Sequence, residues 1–533
     1  MLNTPMSRRQ AIAAVGGALL SDGCRAWPAG RASLLDYIPA SEHDAIAGHR
    51  SRRDVAAHIQ TAIDECARAK AELIVPAGTY WLSPRQSLAH ADPGFACHAA
   101  LMLRSSLRLR AMSGARFIMV PGYSRDALPR AMVMFGSSDI LGDVDIDGLT
   151  MDMNGAANPI SGQRGNRIYS RLPQAHLFVS GGTEQEAARI DRCRITNCDL
   201  IGSPGVSCIV SGQSNAGDAV LGRDWLIAGN RFADNGTDTD DHSSIFGQSD
   251  DMIVRDNRFD NPVPYAGTGG NTAHEVHGAR HIFDRNIVHN YLRGVWVSSS
   301  FSSATVGTRV TGNRFETLFY GVDFFRDSDR LGRISDTSIV GNQFLFDDTG
   351  FPGLDLKAAV QIASPYSQSG IEIRSNSVTK TGTALASAFL VVAQGERGPG
   401  THDMIAARDN EGSGLTFGLF ARTSRGAGLG RLTFLDNRWS GLTPAGIFAI
   451  TAGCIVERTG VSQPVRSLVL GGGRNTGRNG AVPALFLNAH VRSLTLSPVD
   501  GTDARHPLVR GGADRIDALA GSLGAPAPAA TRP

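Results

Sequence analysis

The sequence predicts an all-β protein, a single right-handed parallel β-helix with a short N-terminal capping helix. An asparagine recurs about every thirty residues between Asn230 and Asn437. Between the asparagines, short runs such as Arg309 to Phe315 alternate apolar and polar residues, which indicates strands. The 62 glycines and 19% charged residues among 533 suit many corners and short strands. A fixed period of this length is typical of one unit stacked on copies of itself.

The recurring asparagine is expected at one corner of each coil. It stands at positions 230, 257, 286, 313, 342, 376, 410 and 437. Three residues before it an apolar residue usually occurs: Ile227, Val254, Phe283, Val310, Ile339, Ile373, Ala407 and Phe434. Two residues after it a large apolar residue usually occurs: Phe232, Phe259, Val288, Phe315, Phe344, Val378 and Trp439. We expect each asparagine to hydrogen-bond the next one and to adopt the left-handed backbone of a tight corner.

Residues 36–82 are predicted to form the N-terminal cap and the first strand. After Asp54, one face of a helix is apolar, and it consists of Val55, Ile59, Ala62, Ile63 and Cys66. A strand over residues 73–75 follows. Such a helix covers the exposed core and strand edges at the open end of a β-helix.

The β-helix itself is predicted over residues 83–500, with a different segment at each end. Residues 1–35 are predicted as an export signal and linker, because Arg8 and Arg9 before a weakly apolar run resemble a twin-arginine signal. We therefore expect a periplasmic or secreted protein; a structural helix is the alternative. Residues 501–533 contain few large apolar residues, which predicts a largely disordered tail.

Composition also excludes some classes of partner. No run approaches eighteen apolar residues, so no membrane span is expected. A net charge of +2 is too small to indicate a nucleic-acid partner or a membrane surface.

The predicted helix and strand, the turn from Pro76 to Tyr80 and the segment from Asp145 to Gly155 together carry a family resemblance. They resemble the opening of the pectate-lyase-like superfamily of polysaccharide-active β-helices, which includes polygalacturonases and phage tailspikes. The resemblance covers about residues 50–500 and implies the architecture, a polysaccharide partner and, as in tailspikes, a homotrimer as one oligomeric state. The hallmark residues of polygalacturonases are not found together in this chain, so the reaction has to be inferred from individual residues.

The strand after each asparagine corner carries the candidate site. Placing Ile245, Val276, Val297, Phe324 and Ile362 inward turns the preceding residue outward in every coil. The resulting outward column is Ser244, Glu275, Trp296, Asp323 and Gln361. A second outward column is Phe246, His277, Ser298, Phe325 and Ala363, and the same patch is flanked by Arg293, Tyr320 and Arg326. Carboxylates for proton transfer, an aromatic ring for stacking and arginines are the groups that polysaccharide sites need.

Glu275 and Asp323 are the predicted catalytic pair, with His277 beside Glu275. Two coils separate them, which corresponds to about 9.6 Å between backbones. Carboxyl groups of inverting glycosidases stand about 6.5–9.5 Å apart, whereas those of retaining ones stand about 5–5.5 Å apart. The spacing favours an inverting glycoside hydrolase in which Glu275 is the acid and Asp323 the base, or the reverse. Trp296, Arg293, Tyr320, Arg326 and Gln361 are predicted to bind substrate.

A second acidic cluster lies one coil earlier. It contains Asp234, Asp238, Asp240, Asp241 and His242. A solvated turn is one interpretation; Asp241 as a catalytic carboxyl with His242 as a substrate ligand is another. Asp238 and Asp240 are candidate calcium ligands, because a hard cation prefers carboxylates. No other cofactor is expected.

Two further functions remain open from the sequence. A calcium ion beside an arginine would suit a polysaccharide lyase or a uronan C5-epimerase, with an arginine, His277 or Tyr320 as the base. A β-helix that binds glycan without cleaving it is the non-enzymatic alternative.

Overall fold

The computed structural model describes most of the chain between residues 30 and 520. The described ranges are 30–89, 96–123, 130–135, 140–160, 174–179, 189–212, 222–237, 241–264, 271–299, 304–325, 332–364, 366–393, 400–423, 428–448, 451–458, 465–478, 485–496, 509–510 and 516–520. Three long sheets run through them, and each coil contributes a strand to each sheet in turn. The predicted fold class, a right-handed parallel β-helix with a short N-terminal capping helix, is confirmed.

The strands of each sheet follow in chain order. Sheet 1 contains Arg31–Ser33, Glu72–Val75, Leu107–Ala111, Ile140–Asp147, Arg189–Thr196, Gly222–Arg223, Leu226–Ala228, Ile253–Arg255, Ile282–Asp284, Thr305–Val306, Arg309–Thr311, Ile334–Val340, Gln368–Arg374, Thr401–Arg408, Gly428–Leu429, Arg431–Leu435, Ser467–Gly471, Val491–Leu496 and Ile516–Ala520. Sheet 2 contains Gly78–Leu82, Ala115–Met119, Thr150–Asp152, Asp199–Ile201, Arg231–Ala233, Arg258–Asp260, Ile287–His289, Arg314–Glu316, Gln343–Phe346, Ser377–Lys380, Glu411–Ser413, Arg438–Leu442 and Arg474–Gly477. Sheet 3 contains Gln86–Ala89, Ala96–Leu103, Arg130–Phe135, Gln174–Val179, Ser207–Val210, His242–Gly247, Asn271–Val276, Arg293–Ser298, Tyr320–Phe325, Leu356–Ala363, Ala386–Ala393, Phe417–Thr423, Ala452–Arg458, Leu485–Asn488 and Val509–Arg510.

The helices of the described residues lie almost entirely at the N-terminus. Two 3-10 helices (Leu34–Tyr37 and Ala40–Glu42), a short α-helix (His43–Ala47) and the capping α-helix (Ala56–Ala69) precede the first full coil, and one more 3-10 turn is Gly155–Ala157. The predicted apolar face of the capping helix is buried in the core. Asp54 begins the helix by accepting the Ala56 N–H at 3.0 Å, and Lys70 ends it with a left-handed backbone. Buried this way, the helix closes the end of the β-helix.

The asparagine ladder connects consecutive coils at the corner between sheets 1 and 2. The side-chain oxygen of Asn342 accepts two hydrogen bonds from Asn313, one from its backbone N–H at 3.0 Å and one from its side-chain amide at 2.9 Å. The side-chain amide of Asn342 in turn donates to the backbone carbonyl of Val310 and to the side-chain oxygen of Asn376, both at 2.9 Å. The same pattern joins all eight asparagines, each of which is at least 96% buried. The predicted contacts between asparagines are confirmed.

The predicted left-handed conformation lies one residue earlier than expected. None of the eight asparagines has a positive φ; the residue before each one does: Gly229, Asp256, Arg285, Gly312, Gly341, Ser375, Asp409 and Asp436. The prediction for the asparagines was wrong because their side chains serve a buried ladder, while the exposed residue before them makes the turn. Glycine occupies three of these positions, in keeping with its tolerance of positive φ.

The core lies between the three sheets and is continuous along the described coils. All the apolar residues predicted to flank the asparagines are buried in it. The phenylalanines of neighbouring coils stack on each other, for example Phe232 on Phe259 at 4.5 Å and Phe315 on Phe344 at 5.0 Å between ring centroids. This stacking and the asparagine ladder set the register in which coils lie on one another.

Several predictions for the chain ends lie outside the described residues. Arg8 and Arg9 of the predicted export signal and residues 521–533 of the predicted tail are among them. Within the described residues, no helix combines the length and the apolar composition that a membrane crossing requires.

The ladder predicts a specific loss of stability. Asn342→Ala leaves the Asn313 N–H and the Val310 carbonyl buried without their partners, so we expect the free energy of unfolding to fall by about 2–4 kcal/mol. Gln343→Ala is the matched control, because this neighbouring amide is exposed and should cost less than about 0.5 kcal/mol. Urea unfolding of both variants measures the difference. Equal losses would show that the ladder contributes no net stability.

Candidate active site

Four of the five residues predicted in the outward column share one row across sheet 3. Strand pairing places Glu275 beside Trp296, Trp296 beside Asp323, and Asp323 beside Gln361. We call these four residues the carboxylate row. Their inward neighbours Val276, Val297, Phe324 and Ile362 are fully buried in the core, as predicted. The row therefore faces away from the core on one sheet, with both carboxyl groups on the same side.

The prediction for Ser244 was wrong. Phe246, not Ser244, pairs with Glu275, and the Ser244 side chain lies inside the core, where its hydroxyl is 2.9 Å from the Tyr291 hydroxyl. Strict alternation fails at this position because two consecutive residues, Ser244 and Ile245, both face inward. Two coils beyond Trp296, the consecutive residues Ala359 and Val360 likewise both face inward.

The same break in alternation places a residue that was not predicted, Ser243, beside Glu275. Its hydroxyl donates a hydrogen bond to Oε2 of Glu275 from the preceding coil. The other oxygen of Glu275, Oε1, lies 2.7 Å from Nε2 of His277, whose ring packs against Phe246 at 4.8 Å. The structure thus brings the predicted His277 to Glu275, and each carboxyl oxygen of Glu275 has a hydrogen-bonding partner.

Asp323 lies in a different environment. Nε of Arg293 donates to its Oδ2 at 2.8 Å, and only 5% of Asp323 is exposed. Burial raises the pKa of Asp323; the positive charge of Arg293 and hydrogen bonds from Arg293, Gln361 and the Phe324 backbone act in the opposite direction. Burial also raises the pKa of the Tyr320 hydroxyl, and the nearby Asp323 charge adds to that rise.

Trp296 lies between the two carboxyl groups. The Arg293 guanidinium lies over its ring at 4.7 Å, and Phe325 packs against it at 5.8 Å. Its indole N–H is buried and has no acceptor among the described residues. A buried donor of this kind is normally satisfied by water or by a bound molecule. Because Glu275 and Asp323 are two coils apart, their backbones are separated by about 9.6 Å.

His242 does not join this site. Its side chain is buried inside the β-helix, with Nδ1 2.7 Å from the Gly205 carbonyl and Nε2 3.1 Å from the Ser244 hydroxyl. Burial lowers its pKa to about 4, so it is neutral at physiological pH. The prediction that His242 contacts the substrate was therefore wrong. The reason is again the break in alternation between Ser244 and Ile245, which reverses the inward and outward positions of the residues before it.

The remaining predicted residues are only partly described. Asp241 is exposed, directly before the strand that carries Ser243. Asp238, Asp240 and Arg326 lie outside the described residues, so the calcium ligands remain a prediction. Among the residues that are described, no three His, Cys, Asp or Glu side chains form a group that could hold a metal ion.

Lys357 is the lysine nearest to the row, and it is buried at the corner between sheets 2 and 3. Its Nζ donates to Asp347 and to the Leu318 carbonyl, each at 3.2 Å, and its side chain is fully covered. Burial lowers its pKa to about 8. With its ammonium group held at the corner, Lys357 is not positioned to act on a molecule bound at the carboxylate row.

Comparison with known proteins supports the fold. No family model matches the chain, and no curated protein matches it in sequence. Similar solved structures include the tailspike protein of E. coli bacteriophage HK620 in complex with a pentasaccharide, at a TM-score of 0.58 and 14% identity, covering 92% of this chain and 78% of that chain. A mutant of that tailspike, also in complex with the pentasaccharide, has a TM-score of 0.60 at 14% identity, covering 92% of this chain and 78% of that chain. At this identity the likeness shows that this chain has the parallel β-helix fold of those tailspikes.

Proposed function

We propose that this protein binds and cleaves a polysaccharide, as an inverting glycoside hydrolase that uses Glu275 and Asp323. The observation that carries the proposal is the carboxylate row itself. Two nearly buried carboxyl groups face the same side of sheet 3, two coils apart, with a tryptophan between them. The separation of about 9.6 Å between backbones leaves room for a water molecule on one side of a sugar ring. The pentasaccharide bound to the similar tailspike is consistent with a glycan ligand.

We assign the roles of the two carboxyl groups from their environments. Asp323, whose pKa is raised by burial, is the general acid that protonates the leaving oxygen. Glu275, which accepts a hydrogen bond from the Ser243 hydroxyl and contacts His277, is the general base that activates water. This is the reverse of the first assignment considered from the sequence, because sequence alone does not show the donors around Glu275. Trp296 provides the aromatic surface against which a sugar ring stacks.

The same geometry makes the lyase and epimerase mechanisms less favourable. Those reactions need a base that loses its proton easily and a free positive charge to neutralise a uronate. The pKa of Tyr320 is raised, and Nε2 of His277 is already engaged with Glu275. Arg293 is already paired with Asp323, and Lys357 is held at the corner. A protein that only binds glycan would not need two carboxyl groups at this spacing.

One prediction of this proposal concerns the reaction class. Incubation with a panel of acidic and neutral bacterial and plant polysaccharides should release new reducing ends without the ultraviolet absorbance of an unsaturated uronide. Glu275→Gln and Asp323→Asn should each lower the rate by at least about a hundredfold, because removal of a general acid or base costs about 10²–10⁴. Arg314→Gln, on sheet 2, is the matched control and should retain full activity. Unsaturated products would indicate a lyase, and cleavage that survives both carboxamide variants would exclude this site.

A second prediction concerns pH. The general acid works only when protonated, so kcat/KM should fall as pH rises through the raised pKa of Asp323. Arg293→Met removes the positive charge that opposes this rise, so the alkaline limb should move to higher pH. The pH profile of kcat/KM measures the shift, and Arg314→Met should leave the limb in place. A limb that stays fixed or moves to lower pH in Arg293→Met would contradict the role of Asp323.

A further inference from the structure

A second candidate site lies on sheet 2, which forms a different face of the β-helix from the carboxylate row. Three consecutive coils place Glu411, Arg438 and Arg474 side by side on the outer face. They line a groove of about 450 Å³ together with the side chains of Ser413, Ser440 and Thr476. We call this the arginine groove. Its position means that a molecule bound there would not occupy the carboxylate row.

The two arginines differ from the other arginines of sheet 2. Arg116, Arg231, Arg258 and Arg314 each have a carboxylate partner, which is Asp152, Asp199, Asp260 and Glu316 respectively. Arg438 and Arg474 are exposed, and within the described residues they make no ion pair. Like charges directly opposite each other on neighbouring strands are destabilising. An anion bound between Arg438 and Arg474 would offset the repulsion between their two positive charges.

The shape of the groove follows from its strands. The pairing between the strands that carry Arg438 and Arg474 shifts register after Trp439, which indicates a bulge, and Gly441 has a positive φ of 61° there. A bulge bends its strand and changes the direction of nearby side chains, so it interrupts the otherwise regular outer face at this point.

The chemistry of the lining identifies the class of ligand. A guanidinium pairs with a carboxylate through two parallel hydrogen bonds. The hydroxyls of Ser413, Ser440 and Thr476 and the carboxylate of Glu411 suit sugar hydroxyl groups. Glu411 also repels a ligand that is anionic along its whole length, so the groove suits a molecule with one acidic group beside several hydroxyls.

We propose that the arginine groove binds an acidic sugar residue of a polysaccharide, with the sugar carboxylate between Arg438 and Arg474 and a hydroxyl on Glu411. Binding here does not depend on cleavage at the carboxylate row. The groove holds the polymer on one face of the β-helix while another face acts on it.

Calorimetric titration with trisaccharides of galacturonate, mannuronate and guluronate tests this proposal, with maltotriose as the neutral control. We expect at least one acidic trisaccharide to bind and maltotriose not to bind. Arg438→Gln with Arg474→Gln should weaken binding by at least about tenfold, because two charge-assisted contacts are lost. Arg438→Lys with Arg474→Lys keeps the charge and loses the planar pairing, and should give an intermediate loss. Arg314→Gln should change the affinity less than about twofold, as expected for a substitution outside the groove.

Three further measurements distinguish the arginine groove from binding at the carboxylate row and from simple anion binding. Binding of the acidic trisaccharide should persist in Trp296→Ala. If Trp296→Ala abolishes binding and the arginine substitutions have no effect, the trisaccharide binds at the carboxylate row and the proposal is overturned. Sodium sulfate and acetate at constant ionic strength should not compete on a molar basis; equal competition would indicate an adventitious ion only. Absence of binding by all three acidic trisaccharides would also overturn it. Thermal unfolding without ligand checks that each variant folds. Because every substituted arginine is exposed, we expect the midpoints of the arginine variants to stay close to that of the unsubstituted protein.

Discussion

The stacking register of the coils is the constraint on which the rest of the structure depends. Asparagine amides at one corner accept and donate buried hydrogen bonds from coil to coil, and stacked phenylalanines beside them keep neighbouring coils aligned. A strand that slipped by one residue would turn its core side chains outward and break the ladder. Because the register is fixed, residues that are far apart in sequence, such as Glu275 and Asp323, stand at a set separation on one face.

The repeat made much of this predictable from sequence. Eight asparagines in phase located the corner, and the apolar residues around them located the core. The parity of the strands then placed Glu275, Trp296, Asp323 and Gln361 correctly on one row. Parity failed at Ser244 and His242, because two consecutive residues of the strand, Ser244 and Ile245, both face inward, and no local residue pattern marks that position.

Contacts between coils were the other feature that sequence could not supply. The hydrogen bond from Ser243 to Glu275 and the ion pair between Arg293 and Asp323 each join residues about thirty positions apart, and both depend on side-chain direction. These contacts give the two nearly buried carboxyl groups different partners, a serine and a histidine beside Glu275 and an arginine beside Asp323. Proton transfer in opposite directions needs such a difference.

The central claim is that Glu275 and Asp323 act together across two coils on opposite sides of one glycosidic bond. The stereochemistry of the first product tests it most directly, by proton magnetic resonance of the new reducing end before mutarotation, on a substrate that the protein cleaves. The separation of about 9.6 Å between backbones predicts inversion at the anomeric carbon. Retention would require a covalent intermediate on a carboxyl group that is closer to its partner, and would contradict the account.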